Sequence, residues 1–399
     1  MPFPYALTER QERFAALADR LAASFAERAN QHEIDRTFPY ENFSDLHENG
    51  YLRLPIPEAF GGEGANIYEM VIAQERLGRG DGGTALATGM SCSLLGGQAE
   101  AQGDSPSPIW QEIFTTIAKE GGLINSIVTE ANLGSVSRGG TPATSATRTE
   151  GGWLINGHKR FATGAPVLRY FLTGVVLPPS EEAPQGETAN ALVLAGSSGL
   201  RLVDTWSDGL AMRTSGSFDV FYEDVFVPDE LILNRRPIGG PPAGPPPGLN
   251  SWGMVISATY LGIGQAACDA ACDYANNRVP SALGKPIAEL PHIQQWIGSM
   301  QAQLDAARAV LYNTARAWVE QPENRSALVP YIAAAKYLCT NAACSASETG
   351  LRVAGGFSMT RDHALERYFR DARAGLFNPP QDDLALAQIG RTTLQARRV

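Results

Sequence analysis

Apolar residues recur at helical spacing through the first third of the chain, change to short alternating runs in the middle, and return to helical spacing to the end. Residues 7–34 place Leu, Phe and Ala three and four apart behind Thr8, a side chain suited to capping a helix. Tyr40 to Asn49 (stopped by Gly50), Asn66 to Arg79, Ala85 to Leu95 and Pro108 to Ala118 repeat the signature. Pro55 and Pro57 predict an extended crossing, and Gly61-Gly62 a turn. The composition shifts near Gly121-Gly122. Residues 123–130, 143–149, 153–161, 168–177, 190–195 and 217–227 are short β-rich runs parted by Gly, Pro and Ser. They predict an all-β unit, a small barrel or orthogonal sandwich. Within it, Asn156-Gly157 between two such runs predicts a hairpin turn. Residues 178–189 read as an exposed acidic loop.

The run PIGGPPAGPPPG at 237–248 can form neither helix nor central strand, because proline lacks the amide donor and fixes φ. It reads as a linker. Beyond it come helical runs over 251–277, 288–320, 328–352 and 363–374, then a last one from about Asp382 to Arg397. Gly262, Gly264, Ala266 and Ala270 supply small residues for close helix contacts. The fold class expected is α+β and multidomain. An N-terminal helical domain (1–122) is followed by a central β-barrel or sandwich domain (123–236) and a C-terminal four-helix bundle (237–399).

Composition narrows the function classes. A chain of 399 residues, 44% hydrophobic, can bury a large core. The net charge is −10 and the Lys and Arg residues are scattered, so no basic face for nucleic acid or an anionic membrane is expected. The five cysteines (Cys92, Cys268, Cys272, Cys339 and Cys344) show no metal spacing, and an odd number argues against a disulfide framework. No metal site is expected. Without a leader or an apolar run of spanning length, a soluble, cytoplasmic protein is expected.

The stretch from Ile127 to Gly164 carries candidate chemistry. Hydroxyls at Thr129, Ser135 and Thr163, with glycine-rich backbone around them, could hold a planar polar ring and its phosphates. Thr and Ser at strand ends are also ordinary turn formers. VTEANLGS followed by WLINGHKRFATG resembles the paired flavin-contact segments of the acyl-CoA dehydrogenase family. Other segments match that family in order: Pro57-Glu58-Ala59-Phe60-Gly61-Gly62, the run from Gly209 to Ser217 leading into Phe221–Pro228, Leu261–Ala267, and Gly355-Gly356-Phe357 ahead of Leu365–Arg373. The resemblance spans nearly the whole chain.

It implies FAD between the β domain and the bundle, with Thr129, Ser135, Phe161 and Thr163 contacting the flavin or its pyrophosphate. Gly355 and Gly356 would approach the adenine end of FAD in a neighbouring subunit, implying a dimer or tetramer. Arg352 stands where the family has Gln. Arg278 matches an arginine that reaches a partner's FAD, although the turn after it is stretched and Leu283 replaces an aromatic. The reaction implied is α,β-dehydrogenation of an acyl thioester. A carboxylate removes the α-proton while hydride passes to the flavin, and an electron-transfer flavoprotein or oxygen serves as acceptor.

The base is where the pattern breaks. Pro379 occupies the usual Glu position, and Trp252 the alternative one at the start of the bundle's first helix. Asn250 and Gly253 replace the Asp and Arg that flank that helix start in many relatives; with Trp252 and Asn378 they are expected to line the substrate pocket. Trp252 could narrow that pocket toward short, branched or aromatic groups. Asp382 and Asp383 are the substitute bases on offer, one turn further on; equally, an Asp pair there favours the N-terminus of the last helix. Three readings stay open: a dehydrogenase with a recruited base, a flavin monooxygenase of the same fold that needs no base, and a protein that binds FAD without turnover.

Overall fold

The computed structural model describes residues 6–133, 140–240 and 250–398. Helices α1 (Glu9–Asp35), α2 (Tyr40–Glu48), α3 (Ile67–Leu77), α4 (Gly82–Gln102) and α5 (Pro108–Glu120) form the N-terminal part. Thr8 caps α1 as its sequence predicts: its hydroxyl accepts the amide of Gln11, whose own side chain returns to the Thr8 amide. Helix α4 runs further in both directions than its apolar stretch suggests. It starts at Asp81, whose carboxylate accepts the amide of Thr84.

The strands are β1 (Leu123–Ile127), β2 (Ser145–Thr149), β3 (Gly152–Ala162), β4 (Leu168–Leu177), β5 (Glu187–Leu194), β6 (Leu200–Val203), β7 (Phe218–Pro228) and β8 (Ile232–Pro237). They make one mixed sheet in the order β6-β7-β3-β2-β4-β5-β8, with β1 added parallel to β4. The strand at β6 and the last one, β8, lie in stretches the alternation pattern passes over.

Asn156-Gly157 is not a turn. It lies inside β3, while the β2–β3 hairpin turns at Glu150-Gly151, between the paired Thr149 and Gly152. The physical reason is local. Asn156 is held across the sheet, its amide donating to the Asp224 carboxylate and its oxygen accepting the Asp224 amide. Gly157 sits where a Cβ would lie 2.5 Å from Thr144 Oγ1, so glycine there serves close packing at a bulge opposite β7.

The bundle contains α6 (Met254–Asn277), α7 (Pro291–Glu320), α8 (Val329–Ala354), α9 (Leu365–Ala374) and α10 (Asp382–Gln395). It packs tightly on the N-terminal helices. A Cβ on Gly262 would sit 2.2 Å from the carbonyl oxygen of Glu75, so α6 and α3 meet backbone to backbone. A buried polar knot locks that crossing: Glu75 accepts from Arg308 Nε and Nη2 (2.9 and 2.8 Å) and from the Tyr312 hydroxyl (2.6 Å), and Arg308 also reaches Gln265. Glu75 and Arg308 thus satisfy each other out of water, the condition for burying charge at all.

Candidate functional site

The β-domain wall of the site is built from the ends of two strands. After β1 the chain passes through Thr129, whose carbonyl accepts the amide of Arg160 from β3 (2.9 Å). Glu130 follows, buried, and accepts from Lys159 Nζ (2.6 Å), the Thr144 hydroxyl (2.6 Å) and the amides of Ala143 and Thr144. Against the cost of burial, those donors hold its carboxyl down at about 2. Burial lowers the pKa of Lys159.

Phe161 is the strained residue of this wall. Its φ is 61°, in the left-handed region that a bulky side chain rarely enters, and its ring is 45% exposed. Pairing with β7 slips between Lys159 and Ala162, so the regular pleat does not decide which way Phe161 points. Trp206 meets the ring edge-on at 5.4 Å and is itself fixed by an indole hydrogen bond to the Met212 carbonyl. Thr163 stands two residues on. Its hydroxyl shares a hydrogen bond with Ser217 (2.9 Å), which shares one with Ser215 (2.7 Å). Thr129, Phe161 and Thr163 are therefore brought to one strand end, an exposed aromatic face beside hydroxyls on a hydrogen-bonded frame. That surface fits a planar conjugated ring with polar edges. Ser135 lies outside the described residues. Trp206, Ser215 and Ser217 are missing from the sequence-derived set. The run Arg213–Ser217 was the available signal, whereas Trp206 gains its place only through packing.

The bundle wall differs. Met90, Ile256, Ala374 and Leu376 pack against a buried cluster that includes Leu86, Met212 and Tyr260. Asn378 donates its side-chain amide to the Tyr260 hydroxyl, and burial raises that hydroxyl's pKa, so the pair is neutral. Pro379 follows it. Asp382, one of the two substitute bases, is drawn to α8: it accepts from the Asn341 amide (2.9 Å) and faces the buried Lys336 ammonium (3.6 Å). Asp383 is exposed in the first turn of α10. Trp252 is 4% exposed and lies flat on α4, where a Cβ on Gly96 would come within 2.0 Å of its ring. Its indole donates to Glu100, which also accepts from Trp318. Asn250 caps the short turn before α6, accepting the Gly253 amide. Trp252 and Asn378 are thus held by different partners.

Arg278, Arg352, Gly355 and Gly356 form a third group. Arg278 lies over the Phe357 ring (4.6 Å) and with it lines an open cavity of about 560 Å³, walled also by Tyr274 and His363. Arg352 pairs with Glu348 on the outside of α8 (2.7 Å). Among the described residues, a Cβ on Gly355 or Gly356 would meet nothing within 4 Å beyond its own chain neighbours. Thr129, Phe161 and Thr163 do not line that cavity.

Where the three parts of the molecule meet, Asp371 on α9 accepts the Met212 amide (2.6 Å). Complete burial, and Glu33 nearby, push its carboxyl up to about 7. Among the described residues, no three His, Cys, Asp or Glu side chains are placed to hold a metal ion, and no helix is long and apolar enough to cross a membrane.

Helices, mixed sheet and bundle in this order define an acyl-CoA dehydrogenase-type fold. Residues 8–105 match the family model for the acyl-CoA dehydrogenase N-terminal domain and residues 248–392 the model for its C-terminal domain. The acyl-CoA dehydrogenase homologue YdbM of Bacillus subtilis is 35% identical over 392 residues, covering 97% of this chain and 98% of that protein. The chain belongs to the acyl-CoA dehydrogenase family. An amino sugar nitrososynthase of Streptomyces rubradiris is 27% identical over 94% of this chain and 88% of its own length. Among solved structures, FMN-bound TdsC from Paenibacillus sp. A11-2 superposes with a TM-score of 0.83 at 22% identity, covering 96% of this chain and 98% of that one.

Proposed function

We propose that this chain is a flavin-dependent oxidoreductase that works without a carboxylate base and turns reduced flavin and dioxygen on a compact, uncharged substrate. The observation that carries the reading is the fate of the bundle wall. By the family resemblance Pro379 stands at the base position, while Asp382 is tied to Lys336 and Asn341, and the side chains near the turn include Met90, Ile256, Leu376 and the neutral Tyr260–Asn378 pair. Proton abstraction needs a group that can accept the proton within hydrogen-bond reach. Oxygen insertion needs water kept out.

Thr129, Phe161 and Thr163 would hold the flavin ring. When bound and reduced, it supplies the two electrons with which one oxygen atom of O₂ joins the substrate and the other leaves as water. The chain's own residues divide the rest. Phe161 offers its face, Thr163 offers a hydroxyl fixed by Ser217, and Met90, Ile256 and Leu376 exclude water. The nitrososynthase and FMN-bound TdsC are relatives of the kind this reading expects.

α,β-Dehydrogenation of an acyl thioester is the second reading, favoured by the 35% identity to a protein carrying the acyl-CoA dehydrogenase name. Anaerobic addition of short, branched and aromatic acyl-CoA thioesters to the flavin-loaded protein separates the two. The oxygen reading expects the yellow absorbance to persist. Bleaching by any of these thioesters overturns it in favour of dehydrogenation.

A further inference from the structure

We propose that the buried Glu130–Lys159 ion pair is the positioning element that sets Thr129 in register with Phe161 and Thr163, so that flavin affinity depends on it. The inference rests on the flavin reading of the cleft. Each member of the pair is next in sequence to a residue of the cradle or its tie: Glu130 follows Thr129, and Lys159 precedes Arg160, whose amide holds the Thr129 carbonyl. The two strand ends are thus joined twice within two residues, once through backbone and once through charge.

Something must supply that register. The pairing of β3 with β7 slips between Lys159 and Ala162, and Phe161 sits at a φ of 61°. A one-residue slip in a strand sends each side chain to the opposite face. Lys159, fully buried, is fixed inward on Glu130 before the bulge, and Thr163 is fixed on Ser217 after it. In a regular pleat Phe161, two residues from each, would share their inward face, so it is the bulge between these two fixed points that turns it outward. Glu130 also gathers the amides of Ala143 and Thr144 and the Thr144 hydroxyl, so the entry to β2 is tied to the same point. A packing role alone would be met as well by two apolar side chains, since burying both charges costs solvation. A charged pair with every donor aimed at one carboxylate specifies a geometry instead.

The test compares wild type with Lys159→Met and with the neutral double variant Glu130→Gln/Lys159→Met. Three readouts are taken: thermal unfolding of the apoprotein, dissociation constants for FMN and FAD by fluorescence titration, and visible circular dichroism of the bound flavin. The expected result is a rise of at least tenfold in the dissociation constant of the tighter flavin for both variants, with an altered visible band. In the double variant the apoprotein melting temperature returns toward wild type while affinity does not. A smaller rise, or affinity that recovers together with the melting temperature, overturns the inference and leaves the flavin reading standing. A wild-type protein that binds neither flavin overturns both.

Discussion

On the β-domain wall the key polar groups have partners that direct them: Thr163 on Ser217, the Thr129 carbonyl on Arg160, Glu130 on Lys159. On the bundle wall, polar groups are engaged by partners of their own or neutralised. Asp382 goes to α8, Trp252 gives its indole hydrogen to Glu100, and Tyr260 and Asn378 satisfy each other without charge. In the proposed reading one wall holds a polar planar ring and the other presents an apolar surface. Binding and proton transfer are therefore separable in this fold, and a chain can keep the first without a residue for the second.

The largest expected effect breaks the first wall. Phe161→Ala removes an exposed aromatic face at little cost to the core, and a stacking contact of about 2–3 kcal/mol predicts a flavin dissociation constant raised roughly 30–160-fold. Fluorescence titration of the apoprotein checks this, and an unchanged constant would remove Phe161 from the cradle.

A smaller effect sharpens the second wall. Asp382→Asn leaves Lys336 buried without its counter-charge, and since the carboxylate is partly exposed the loss of stability should be about 1–2 kcal/mol. Turnover of flavin-loaded enzyme should stay within about twofold, as it should for Asp383→Asn, because neither carboxylate serves as base in the oxygen reading. A collapse of turnover with stability intact would return Asp382 to the catalytic role.

The smallest is a pH effect on the first wall. The Glu130 carboxyl is held at about 2 in the folded chain against an ordinary 4.5, so its contribution is fully present above about pH 4.5 and is lost as pH falls toward 2. Between pH 5 and pH 4 the unfolding free energy should fall by roughly 0.5–1 kcal/mol from this group. In Glu130→Gln that part of the slope should vanish. Denaturant titrations at the two pH values give the comparison, and an identical slope in both proteins would mean that the carboxylate is not held as described.

Several features of the fold are legible in the sequence. The Thr8 cap and the long bundle helices announce themselves because each depends on residues within one or two turns of one another, while the proline-rich run read as a linker lies largely outside the described residues. Thr129, Ser135 and Thr163 could be named from their hydroxyls and Phe161 from the family resemblance; Thr129, Phe161 and Thr163 lie at one strand end, and Ser135 lies outside the described residues. Asn156-Gly157 misled because a turn dipeptide is also a bulge dipeptide, and which it becomes depends on Asp224, 68 residues away from Asn156. Trp206 carried no local signal that tied it to the site, whereas Ser217 lies in a run that matches the family.

Periodicity and turn chemistry, which act over a few residues, determined this protein's order of helical, β and helical parts, and the family resemblance singled out Thr129, Phe161, Thr163 and Pro379. Only the tertiary structure decided where the remaining charges went. Asp382 pairs with a lysine 46 positions earlier, at 3.6 Å, and Glu130 with one 29 positions later, at 2.6 Å. The direction a carboxylate takes is set by which cation is buried beside it, and that depends on how distant segments pack.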